Sequence, residues 1–201
     1  MIIPSHVPIR CISVAREYLH LESKVRLSLS EACVSFCREC LDLCCRKEIC
    51  YESISSDWLK LIWSLCGHEM HEYDKTKGWL SSHGCNLYAG RPPVCYEFLC
   101  NKIAKNIPNG YFSYLRTISK IPSLVGQNAL GNRHLVTLSP EEIKFRLDFN
   151  RLRKRIAMCI ELFIQCEERL SVNRKGFPKH KAHTHGSGGN QPGECYRRTA
   201  K

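Results

Sequence analysis

The run Cys33-Val34-Ser35-Phe36-Cys37-Arg38-Glu39-Cys40-Leu41-Asp42-Leu43-Cys44-Cys45 concentrates one kind of chemistry. As thiolates, cysteines are soft ligands for Zn2+, for iron and for iron–sulfur clusters. On a helix, Cys33, Cys37, Cys40 and Cys44 recur at i, i+4, i+7 and i+11 and therefore share one narrow face. Cys45 would point roughly 100° away from Cys44 on a continuous helix. The pair serves a single ion only where the helix breaks; otherwise there are two sites or a cluster. A stripe of buried small residues is the alternative reading, since cysteine packs well. Leucine or alanine would fill that role, and six cysteines between Cys33 and Cys50 exceed what packing requires. The segment is expected to bind metal.

A second group follows in Gly84-Cys85-Asn86-Leu87-Tyr88-Ala89-Gly90-Arg91-Pro92-Pro93-Val94-Cys95-Tyr96-Glu97-Phe98-Leu99-Cys100. Taken with the first run, it resembles the YkgJ-type cysteine-cluster family, whose CxxCxxCC domain chelates zinc or iron. Cys37, Cys40, Cys44 and Cys45 match the first half of the family pattern. Cys85, Leu87, Tyr88, Arg91, Pro92 and Cys95 match the second, and Cys100 stands as a further ligand. The resemblance spans roughly residues 33–105. It implies a metal site built from Cys37, Cys40, Cys44, Cys45, Cys85, Cys95 and Cys100, and says little about any reaction. Where the family carries one more cysteine ahead of the second block, this chain has Gly78-Trp79-Leu80. Cys33, Cys50, Cys66 or His83 would then complete the set. Tyr96 replaces a usual arginine and Leu99 a usual proline.

The ligand type leaves the metal open. Four thiolates suit structural Zn2+, and they equally suit a [4Fe–4S] cluster. Arg91, beside the ligands, is placed either to offset thiolate charge or to bind an anion, unless it is simply a surface arginine at a proline turn. Cys11, Cys66, Cys159, Cys166 and Cys195 are expected to be packing or incidental thiols.

Other chemistries fit less well. Cys33-x3-Cys37-x2-Cys40 has the radical SAM spacing, but the chain lacks the length, the β/α alternation and the glycine-rich segment of such enzymes. A protein methylase related to the family is a minor alternative. His68-Glu69-Met70-His71 is one residue short of a zinc-protease motif and reads as ordinary polar residues. His180, His183 and His185 read as part of a solvated tail. No enzyme reaction is derivable.

The 201 residues carry a formal charge of +11, with 14 cysteines, 43% hydrophobic and 24% charged residues. Residues 171–201 hold seven basic groups against Glu194 and so carry +6 of that charge. This tail, rich in glycine and histidine, is expected to be disordered. Residues 1–170 are expected to form one mainly α-helical, cysteine-cluster domain. The start of the chain lacks a basic stretch followed by an apolar run, which predicts a cytoplasmic protein with reduced thiols. Nothing predicts a membrane partner. Arg151, Arg153, Lys154 and Arg155 form a basic patch, making nucleic acid the alternative partner.

Four helices are expected to position these residues. A capping box at Ser28 and Glu31 predicts a helix from there to about Cys45. Ser56 to Cys66 reads as a second, closed by Gly67. A third is predicted to begin at Pro92-Pro93 and end before Pro108. A fourth starts from the Ser139–Glu142 capping box, with Phe145, Phe149, Leu152, Ile156, Cys159, Phe163, Cys166 and Leu170 as one apolar seam. That seam must pack on other helices or on a second copy of the chain. Residues 120–138 read as an irregular connection, and strand signals are weak throughout.

Overall fold

A computed structural model describes residues 8–38, 47–81 and 84–174. These residues are mainly helical, with eight α-helices and a two-stranded β-ribbon of two residues per strand. The helices are α1 Ile9–Arg38, α2 Lys47–Ser55, α3 Asp57–Leu65, α4 Val94–Glu97, α5 Asn101–Asn106, α6 Asn109–Gly126, α7 Pro140–Phe145 and α8 Phe149–Arg174. The ribbon pairs β1 Leu80–Ser81 antiparallel with β2 Gly84–Cys85, Leu80 facing Cys85. Residues 39–46, the expected tail beyond Arg174, and with them Cys40, Cys44, Cys45, His83 and the side chain of Cys37, lie outside the described residues.

The first helix begins far earlier than its sequence signals indicate. Cys11, Val14, Tyr18, Leu21, Val25 and Leu29 recur every three or four residues and are all buried, with no glycine or proline to interrupt them. That seam holds the helix from Ile9 onward. Ser28 and Glu31 therefore do not cap it: Ser28 sits mid-helix, and its hydroxyl donates to Glu167 of α8. A second tie between these helices joins Arg153 Nε to Glu17 Oε1 at 2.8 Å. Since both members rise in number together from one tie to the next, α1 and α8 run parallel. α6 lies antiparallel to α8, with Arg155 reaching the carbonyls of Val125 and Gln127 at its end. These three long helices enclose the main core, and α3 packs on α1.

Other expectations are revised as well. The helix predicted to begin at Pro92-Pro93 and end before Pro108 is two short helices, α4 and α5, separated at Phe98–Cys100. α6 continues through Pro122 to Gly126, so much of the expected connection at 120–138 is helical. Pro122 removes one backbone donor, but the buried face of Leu115, Ile118, Ile121 and Val125 against α8 keeps the helix intact. The fourth predicted helix is also two. The capping box at Ser139 and Glu142 is present, yet it opens only α7, and Phe145 at its end is 71% exposed. Asp148 then accepts from the Arg151 N–H and starts α8, whose seam from Leu152 to Leu170 is buried as its spacing predicts. α8 runs to Arg174, four residues into the stretch expected to be tail. α3 matches its prediction, with Ser56 accepting from Leu59 N–H and Gly67 at φ 82° beyond its end.

Candidate metal centre

The loop between β2 and α4 carries the second cysteine block, and α1 and α3 hold it from two sides. Gly90 has φ 71°, a left-handed conformation that favours glycine. A Cβ there would lie 2.6 Å from the Leu59 carbonyl oxygen and 2.9 Å from Trp63 N. On the other side, the carboxylate of Glu22 accepts hydrogen bonds from the backbone N–H groups of Gly90 and Arg91, both at 3.0 Å. It also accepts from the Tyr96 hydroxyl at 2.7 Å. Burial pushes the Glu22 carboxyl above its ordinary range, and these hydrogen bonds, with the charge of Arg91, oppose that shift. Tyr96, one of the departures from the family pattern, is thus part of the loop's anchor.

A smaller core supports the ribbon. Trp63, Trp79, Leu87 and Cys50 are buried together, with Cys85 half-buried against them. The Trp79 indole donates to Ser53 Oγ at 2.6 Å, and the Trp63 indole donates to the Ser53 carbonyl at 3.0 Å. His68 Nε2 accepts from the Tyr88 N–H at 3.2 Å, while Nδ1 lies 2.6 Å from Glu72 Oε2. That pairing puts the proton on Nδ1. The ring also stacks on Tyr88 at 5.7 Å, so His68 anchors the loop, where the sequence read it as an ordinary polar residue.

Arg91 lies within electrostatic reach of Cys50, Cys85 and Cys95. Its Nε donates to the Leu87 carbonyl at 2.5 Å and its Nη2 to the Cys85 carbonyl at 3.3 Å. Burial works against its charge, yet Cys85, Tyr96, Cys95 and Glu22 together hold its pKa above the usual guanidinium value. Cys50 shares this field. Burial pushes its thiol up, Cys85 adds to that, and a Trp79 backbone hydrogen bond and the Arg91 charge oppose it. Buried Cys50 of α2, half-buried Cys85 of β2 and exposed Cys95 of α4 thus all act electrostatically on one guanidinium. Among the described residues, no three His, Cys, Asp or Glu side chains close on one ion.

The remaining sequence candidates separate clearly. Cys100 is half-buried at the start of α5 against the main core. Cys33 is buried in the α1 seam. Cys66 is disulfide-bonded, which departs from the expectation of reduced thiols and removes it as a thiolate ligand here. Cys11, Cys159 and Cys166 are buried in the main core, and burial raises each thiol, Cys11 to about 11. They behave as packing residues. Within the basic patch, Arg153 pairs with Glu17 and Arg155 bonds two carbonyls of the α6 end, so half of it serves the fold.

Sequence reasoning missed Glu22 and Arg26. The available signal was phase: Glu22 falls at i+4 from Tyr18 and i−3 from Val25, inside the apolar seam. An acid at a core position requires partners.

Comparison with protein-family models, with curated proteins and with solved structures yields no match. No helix of the described residues is long and apolar enough to cross a membrane.

Proposed function

We propose that this chain is a cytoplasmic metal-binding protein that holds Zn2+ or iron, the latter as an ion or a [4Fe–4S] cluster, through a cysteine cluster. The observation that carries this reading is the partly buried Arg91 guanidinium, on which Cys85 and Cys95 act electrostatically and whose charge acts on Cys50. A buried cation needs compensating negative charge. A set of thiolates on a divalent metal carries net negative charge, so the donor chemistry and the cationic wall suit one another. Cys85, Cys95 and Cys100 would act together with Cys37, Cys40, Cys44 and Cys45, and Cys50 is the best-placed candidate to replace the cysteine absent at Gly78-Trp79-Leu80. Bound metal would supply folding free energy by tying the two blocks together.

The residues of this chain prepare the loop for that role. Glu22 and Gly90 fix its backbone, Arg91 offsets charge, and the Trp63–Trp79 core keeps one side dry. Anaerobic purification followed by elemental analysis and absorption spectroscopy tests the reading. Stoichiometric zinc in a colourless protein, or iron with a broad visible charge-transfer band, is the expected result. Substoichiometric amounts of every metal would defeat the proposal.

A further inference from the structure

Arg26 lies one helical turn beyond Glu22 on α1 and meets the same loop. Its guanidinium carbon is 5.4 Å from the centre of the Tyr88 ring, a cation–π contact. Its Nε is buried and has no hydrogen-bond partner. Arg91 follows Tyr88 by three residues, and its guanidinium bonds only to the carbonyl oxygens of Leu87 and Cys85 among the described residues. Neither arginine forms an ion pair among these residues. Glu22 is the described acid that acts electrostatically on both, and it already accepts from two backbone N–H groups and the Tyr96 hydroxyl. Among the described residues, two guanidinium groups stand against one carboxylate in this partly buried corner.

Two like charges side by side in such a corner are costly. Burial and the neighbouring Arg91 charge both push the Arg26 guanidinium below its usual pKa. Guanidinium groups match the geometry of phosphate oxygens better than any other side chain, and Arg26 Nε with the Arg91 Nη1 group are the donors left without a partner for one among the described residues. We propose that Arg26 and Arg91, with Tyr88 beside them, form a binding site for a phosphate-type oxyanion. The site would share Arg91 with the thiol set, whereas Arg26 reaches it through Tyr88 and is the residue specific to the anion.

Calorimetric titration of the full chain, as purified and at fixed ionic strength, with inorganic phosphate provides the test, with acetate as the comparison anion. Saturable binding near one phosphate per chain, with much weaker binding of acetate, is expected. Arg26→Gln should weaken phosphate binding at least tenfold. It should leave the anion-free melting temperature unchanged or higher, because a desolvated like charge is removed. Metal content, measured in parallel, should not move. Phosphoserine and a nucleoside monophosphate form further arms. Tighter binding of either identifies the phosphate as part of a larger ligand, whereas equal binding identifies the free ion. Absence of saturable phosphate binding, or equal binding by Arg26→Gln, would overturn the assignment and leave only general attraction to a basic chain. Should Arg26→Gln fail to fold, Arg26→Lys keeps the charge but loses the fork, and undiminished binding by it would equally overturn the site.

Discussion

The carboxylate of Glu22 and the backbone N–H of Gly90 meet at 3.0 Å, although 68 residues separate them in the chain. This contact fixes the cysteine loop to the longest helix. Removing the carboxylate would leave two backbone donors and the Tyr96 hydroxyl unpaired in a buried place. Each such group costs roughly 1–3 kcal/mol. Glu22→Ala is therefore expected to destabilise the fold by about 3 kcal/mol or more, measured by denaturant unfolding. Tyr96→Phe removes one donor and leaves the others satisfied, so about 1 kcal/mol is expected. If Glu22→Ala proved no more harmful than Tyr96→Phe, the anchor would not be what holds the loop.

Three glycines form a graded series. Gly90 combines φ 71° with a Cβ position 2.6 Å from a backbone oxygen, so Gly90→Ala must shift either the loop or α3. A loss of about 2–4 kcal/mol is expected. Gly131 has φ 59° but nothing within 4 Å, and its alanine variant should lose only about 1 kcal/mol. Gly110, in open space within α6, should gain slightly on replacement by alanine. Thermal melting of the three variants ranks them directly. Any order other than Gly90, Gly131, Gly110 from worst to best contradicts the argument.

What could be read from the sequence follows from how local each signal is. α3 was legible because its start at Ser56 and its end at Gly67 lie within the segment itself. The α8 seam was legible because its period is carried by the helix alone. Ser28 misled because its hydroxyl serves Glu167, 139 residues away, and no local pattern reveals that. Pro122 misled because packing of α6 on α8 outweighs a lost backbone bond. At the candidate site, type and spacing singled out the cysteines, and the family pattern singled out Arg91. Glu22 and Arg26 did not, since a charged residue on a helix normally reads as solvated until the loop that covers it is known.

Ligand and packing thiols should respond oppositely to substitution. Cys85 and Cys95 flank Arg91, whereas Cys159 and Cys166 are buried in the α8 seam. Serine keeps its proton and is a poor partner for a soft metal. Cys40→Ser, Cys85→Ser and Cys95→Ser should each lower metal content severalfold. Cys159→Ala and Cys166→Ala should retain it and lose about 1 kcal/mol of stability. Equal metal content across all five variants would remove the site from the loop.

His134 gives the fold a pH dependence of defined sign. Its Nδ1 accepts from the Val136 N–H at 3.3 Å, and its Nε2 lies 3.1 Å from the Ser123 carbonyl, to which it donates. The ring also fills the space over Gly126. Burial lowers its pKa below the ordinary 6.5; Arg155 acts in the same direction, while the Ser123 bond and Glu97 act against it. Protonation would set an N–H on Nδ1 against the Val136 N–H. With the folded pKa below the unfolded one, the native state binds fewer protons between the two values. The contribution is therefore fully present above about pH 6.5 and is lost as pH falls through the folded pKa. His20, whose pKa burial also lowers, adds to the same slope. Melting temperatures recorded from about pH 8 down to pH 5 should fall over that window. His134→Asn, which can still cap Val136 without titrating, should show a shallower fall, with the part due to His20 remaining. An unchanged slope in His134→Asn would assign the pH dependence to other groups.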